Sequence, residues 1–171
     1  MAKQLKRLNN QEFFGMMASL DPFQAVIKGA IVVESEMEEV FRSAFHDASA
    51  LYDMKLTYDQ KVNLLIALGI EPRFATPLKA LAKIRNKFAH TIDANLTEVE
   101  AKNFYASFHS TDRIIINDIF STLHAHKKIN GKPAKVSDLD PLDQVVLCIV
   151  TLRAAILTAQ KQMTYLRQNA T

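Results

Sequence analysis

The chain reads as an all-α, single-domain helical bundle of roughly six or seven helices. Three observations predict it. Apolar residues return at three- and four-residue intervals through most of the 171 positions. Helix-start signals precede those runs again and again: Asp21-Pro22, Asp140-Pro141, Thr57 with Gln60, and Thr97 with Glu100. Only four glycines and five prolines interrupt a chain that is 49% hydrophobic, which is long enough for one well-filled core. Residues 1–171 are therefore taken as one domain, with a basic loop at 127–140 inside it.

Asn9 or Asn10 can cap a short first helix with Phe13, Phe14, Met17 and Leu20 along its apolar edge. This helix is expected to pack on its own core rather than to serve as a docking arm. Asp21, Pro22 and Gln24 then open a long second helix, expected to reach about Leu51. Phe23, Val26, Ile27, Ala30, Ile31, Met37, Val40, Phe41, Ala44 and Phe45 give it an inward stripe. Glu34 falls on that stripe, where a carboxylate is out of place. Gly29 lies inside the same helix at a cost of about 1 kcal/mol against alanine, which close approach of another helix would explain.

Thr57 and Gln60 start a short helix with Val62, Leu65 and Ile66 inward, and Gly69 stops it. After Glu71-Pro72-Arg73, Thr76 can cap and Pro77 can open a helix that runs to His90. Leu78, Leu81, Ala82, Arg85, Phe88 and Ala89 share one side of it, while Lys79, Lys83 and Lys87 form a separate solvated row. Arg85 thus points where a leucine is expected, and an unpaired buried charge costs roughly 3–5 kcal/mol. Thr91 to Leu96 is irregular. Helix resumes from Glu98 to about His126, with a break near Ser110-Thr111-Asp112 and with Phe104, Phe108, Ile115, Ile116, Ile119, Phe120 and Leu123 inward. Lys127 to Asp140 has no apolar period and carries Lys127, Lys128, Lys132 and Lys135. Asp140-Pro141 then starts a last helix to about Arg167, with Val145, Ile149, Leu152, Ile156, Ala159 and Met163 inward.

Composition narrows the chemistry. A formal charge of +3 is mild, unlike the concentrated basic face of most DNA binders. The single cysteine, Cys148, lies in the apolar run Val145–Val150 and reads as a small buried hydrophobe. The basic stretch Met1 to Asn10 is followed by no apolar segment of signal-peptide type. The longest apolar run, Val145 to Ala159, is broken by Arg153 and reads as too short for a bilayer. A cytoplasmic protein without membrane contact is expected. His124 and His126 are two apart and diverge by roughly 160° on a helix, so they cannot share one metal ion. His46 and His109 add no ligand spacing, and scattered glycines make no phosphate loop. No metal and no cofactor are expected.

Arg85-Asn86-Lys87-Phe88-Ala89-His90 resembles the Arg-x4-His signature of HEPN domains, small α-helical domains that often pair and include ribonucleases. A second resemblance covers most of the chain. Val32-Val33-Glu34-Ser35-Glu36-Met37-Glu38, then Leu64-Leu65-Ile66-Ala67-Leu68-Gly69-Ile70, then Ile84-Arg85-Asn86-Lys87-Phe88-Ala89-His90, in that order, resemble the mannitol operon repressor family. That resemblance implies a bacterial transcription regulator of all-α fold without a recognised helix-turn-helix.

Burial logic ties these blocks together. Glu34 and Arg85 are each out of place on an apolar face, so they are expected to meet as a bidentate pair. Asn86 and His90 are expected to extend that polar cluster. On this reading the chain is a non-enzymatic repressor-like regulator, a homodimer that works through contacts with other regulatory proteins. The alternative is a HEPN-type ribonuclease or an inactive relative, with Arg85 as phosphate-holding cation and His90 as acid or base. Lys79, Lys83, Lys87, Lys127, Lys128, Lys132 and Lys135 are candidate contacts for nucleic acid or an acidic partner. They lack the arginine and amide groups that read base edges, so direct DNA binding would be weak.

Overall fold

The computed structural model describes residues 8–123, 128–129, 132–133 and 135–169. The first turn of a helix leaves backbone N–H groups without partners, and at several starts this chain supplies side chains for them. Asn9 accepts from the Glu12 N–H at 2.9 Å while Glu12 takes the Asn9 N–H, opening α1 (Asn10–Ala18). Asp21 accepts from the Gln24 N–H at 2.8 Å and Pro22 opens α2 (Pro22–Ala44). The reciprocal bond expected from Gln24 is not formed among the described residues.

α2 ends well short of the expected Leu51. Phe45 takes extended backbone, and the Asp47 carboxylate accepts from the Ser49 N–H at 2.8 Å, starting the separate short α3 (Ser49–Asp53). An aspartate that bonds its own downstream backbone competes with helix continuation.

Thr57 and Gln60 form the expected reciprocal cap of α4 (Tyr58–Ala67), and Gly69 leaves it at φ +99°, a backbone region open to glycine. A 3-10 turn, Pro72–Phe74, runs directly into α5 (Ala75–His90). Thr76 is therefore inside the first turn rather than at the cap. Pro77 is tolerated there because first-turn N–H groups have no intrahelical acceptor. Thr97 and Glu100 cap α6 (Glu98–Ala106), and the chain breaks at Ser107–His109, slightly before the expected point, to begin α7 (Ser110–Leu123). Ile114-Ile115-Ile116 is helical, as expected. The expected end at His126 lies outside the described residues.

The 127–140 segment is less irregular than expected. β1 (Lys128–Ile129) pairs antiparallel with β2 (Lys132–Pro133), and a 3-10 turn follows at Val136–Asp138. The Asp140 carboxylate then accepts from the Leu142 and Asp143 N–H groups and opens α8 (Pro141–Gln168).

α8 is the core helix, lying along α2 and flanked by α6 and α1. Val145, Ile149, Leu152, Ile156 and Ala159 are buried as expected, and so is Cys148, whose thiol is pushed up by burial. By length and composition α8 alone among the described helices could cross a membrane, so the shortness of its apolar run does not decide the matter. In this fold its most apolar window is 56% buried inside the bundle. Phe13 and Met17 of α1 are fully buried, which places that helix in the core.

α2 is rotated from the expected stripe. Ala25, Val26, Gly29, Ala30, Val33, Glu36, Met37, Val40 and Phe41 are buried, whereas Phe23 and Ile31 are each 51% exposed. Gly29 faces Ile149 of α8 and Met17 of α1, a close approach that only a residue without a side chain allows. A Cβ added at Gly29 would lie 2.9 Å from both Ile149 Cδ1 and Met17 Cε. In α7, Ile116 and Phe120 are buried, but Ile115 and Ile119 are exposed, which narrows the expected inward face. Ala89 of α5 is exposed and Ile84 is buried in its stead. Gly29→Leu drives a branched chain into this contact and is expected to cost about 1–3 kcal/mol, read as a lower urea midpoint with an unchanged slope.

Candidate functional site

Glu34 lies on α2 where α4 and α5 both reach it. Lys61 of α4 places Nζ 2.7 Å from Glu34 Oε1 and 2.7 Å from Glu38 Oε1. Arg85 of α5 comes only to 3.8 Å, Nη2 to Glu34 Oε2. The bidentate pair expected between Glu34 and Arg85 is not formed, because a closer cation occupies the carboxylate. Nor is the site deeply buried: the Arg85 side chain is 32% exposed. Burial opposes the Lys61 charge, yet the hydrogen bonds to Glu34 and Glu38 outweigh it and hold the ammonium above the usual lysine range. The Tyr58 hydroxyl is buried beside this group without a hydrogen bond, and burial together with the Glu34 charge pushes its phenol up.

Asn86 and His90 do not join the cluster. Both are exposed, and neither has a hydrogen bond to it among the described residues. Five positions separate Arg85 from His90, a turn of about 140° around an α-helix, so within one chain they face different ways. The solvated lysine row is also only partly so. Lys79 and Lys83 are exposed, but Lys87 binds Glu100 Oε1 at 2.7 Å and the Asn95 carbonyl at 2.8 Å, tying α5 to α6. Burial works against the Glu100 charge, but Lys87 and Thr97 hold its carboxyl below the usual range. Lys135 is exposed, Lys128 and Lys132 lie in the short strand pair, and Lys127 falls outside the described residues. His124 and His126 also fall outside them. Among the described residues no three His, Cys, Asp or Glu side chains stand together as a metal-binding group.

Among the described residues, the ion pair with both members buried lies elsewhere. Arg153 of α8 is 1% exposed and Glu36 of α2 is 6% exposed. Arg153 Nη2 donates to Glu36 Oε1 at 3.1 Å and to the Leu8 carbonyl at 2.5 Å, and its guanidinium carbon stands 4.7 Å from the centre of the Phe13 ring. Gln160 Nε2 donates to Glu36 Oε2 and to the Glu36 carbonyl, both at 2.8 Å. Sequence reasoning treated Arg153 only as an interruption. The signal was present: Arg153 is four residues after Ile149 and three before Ile156, squarely in the inward row of α8. Glu36 is likewise three after Val33 and four before Val40.

Comparison of the chain with protein-family models, with curated proteins and with solved structures returned no match. The chemistry must be argued from the arrangement. Around Glu34 it offers neutralised charge at a half-open surface, and around Glu36 a structural clamp closed to solvent.

The two arginines are therefore expected to behave differently. Arg153→Ala leaves Glu36 buried without its cation and should cost roughly 3–5 kcal/mol. Arg85→Ala touches a partly exposed pair and should cost at most about 1 kcal/mol. Chemical unfolding of both variants checks this, and the double variant Glu36→Met/Arg153→Met should recover most of the loss.

Proposed function

We propose that this chain is a non-enzymatic bacterial transcription regulator, of the kind its resemblance to the mannitol operon repressor family implies, acting as a cytoplasmic homodimer through protein contact. The observation that carries the contact reading is an uncovered apolar row on α2. Phe23 and Ile31 are each 51% exposed, and Ile27 between them is half-buried. A row at i, i+4 and i+8 on a rigid helix is the kind of surface that proteins cover with another protein. It is also self-complementary. Two copies of α2 crossing antiparallel at Ile27 set Phe23 of each against Ile31 of the other, the isologous geometry of a two-fold dimer. Phe88 backs the row, its ring centre 6.2 Å from that of Phe23, which keeps the aromatic oriented. The regulatory part of the proposal rests on the sequence resemblance.

The competing reading is a HEPN-type ribonuclease with Arg85 and His90 meeting across two chains. The Glu34 carboxylate, 3.8 Å from Arg85, competes with a phosphate for that cation, but Lys61 binds the same carboxylate more closely, and the half-exposed Arg85 and exposed His90 leave that chemistry open to a direct trial. The test combines sedimentation with a nucleic-acid challenge. The wild type should sediment as a dimer, Phe23→Ser/Ile31→Ser as a folded monomer, and neither should cut RNA or DNA. A monomeric wild type would overturn the contact reading. RNA cleavage lost in both Arg85→Ala and His90→Ala, with folding intact, would replace it with the nuclease.

A further inference from the structure

A second feature, independent of the regulatory reading, lies where the last turns of α2 meet α3 and the start of α4. A cavity of about 160 Å³ opens there. Phe41, Leu51 and Leu56 make its apolar wall, and Glu38, Lys55 and Lys61 its polar rim. The size is informative, because a void of roughly 150 Å³ lined by leucine, isoleucine and phenylalanine holds one benzene ring.

The cover of this cavity is loosely built. α3 has no buried residue, and its start is held by the one Asp47 bond to the Ser49 N–H rather than by a cap at Ala48. It is held to α2 through the Tyr52 hydroxyl, which accepts from Arg42 Nε, and through the Arg42 guanidinium, 5.6 Å from the centre of the Tyr52 ring. Beyond it Lys55 has φ +47° and is the one non-glycine residue with positive φ among those described. A lysine held in the left-handed region is strained, and such strain concentrates at ligand clamps and switch segments.

Charge decides the class of ligand. Glu38 takes Lys61 at 2.7 Å and has Arg42 at 3.8 Å. Glu39 is paired with Arg42, and Glu34 with Lys61 and Arg85. These carboxylates are therefore already answered. Lys55 is exposed at the rim and has no carboxylate partner among the described residues. The site thus combines an apolar pocket of one-ring size with a single uncommitted cation at its mouth, a small version of the usual pocket with few convergent polar groups.

We propose that this cavity binds a compact aromatic monocarboxylate, its ring against Phe41, Leu51 and Leu56 and its carboxylate on Lys55. Calorimetric titration of the intact chain with benzoate, benzyl alcohol and benzylammonium tests this. Benzoate should bind best of the three. Leu51→Trp fills the cavity and should abolish its binding. Lys55→Gly places glycine where the backbone favours it, so the fold should melt no lower than the wild type. Benzoate should weaken in that variant roughly fivefold, the scale of one exposed charge contact. Three outcomes overturn the proposal: no heat with benzoate, benzoate binding undiminished in Leu51→Trp, or benzylammonium binding at least as tightly as benzoate.

Discussion

The buried contact between Arg153 and Glu36 is the constraint on which the arrangement of helices depends. A guanidinium at 1% exposure is tolerable only if a carboxylate and carbonyls meet it. Glu36 supplies the carboxylate from α2, the Leu8 carbonyl supplies a second acceptor ahead of α1, and the Phe13 ring covers the cation. Three elements are thereby held in one register. Such a pair adds little net stability over well-packed hydrophobic residues, but it penalises arrangements that part its members. Sliding α2 by one turn against α8 would strand both charges. The clamp and the Gly29 contact act together, since the close approach at Gly29 and Ile149 lets the longer side chains further along reach each other.

The other charged group has a different physical character. Around Glu34, cations from α4 and α5 converge on a partly exposed carboxylate, and solvent screens what they contribute. This group trims the surface between α2, α4 and α5. It leaves the packing of α8 untouched. The apolar row of Phe23, Ile27 and Ile31 runs along the N-terminal half of α2, and the cavity beneath α3 opens at its C-terminal end. One long helix therefore carries the core on one side and two distinct surface features at its two ends.

Local devices were legible in the sequence because each acts over a few residues. The caps at Asn9, Asp21, Thr57, Thr97 and Asp140 form within three positions of themselves, so residue type and spacing suffice to place them. Gly29 was legible as a site of close helix approach because little else justifies a glycine inside a helix. The site was legible in part. Glu34 and Arg85 were recognised as neighbours, but Lys61 lies closer to the carboxylate, and Asn86 and His90 point away from the group. Periodicity identifies an apolar stripe without saying where its centre falls, which is why Phe23 and Ile31 were placed inward.

The sequence by itself determined that this chain is an all-α bundle, where most of its helices begin, and that some carboxylate would have to answer a misplaced arginine. Which arginine is buried, and which face of α2 turns inward, only the tertiary structure decided. The reason is one of range. A cap is a hydrogen bond between near neighbours, whereas Glu36 and Arg153 are 117 residues apart. Their meeting depends on how α1, α2 and α8 pack all at once, and that joint packing is not a property of any single stretch.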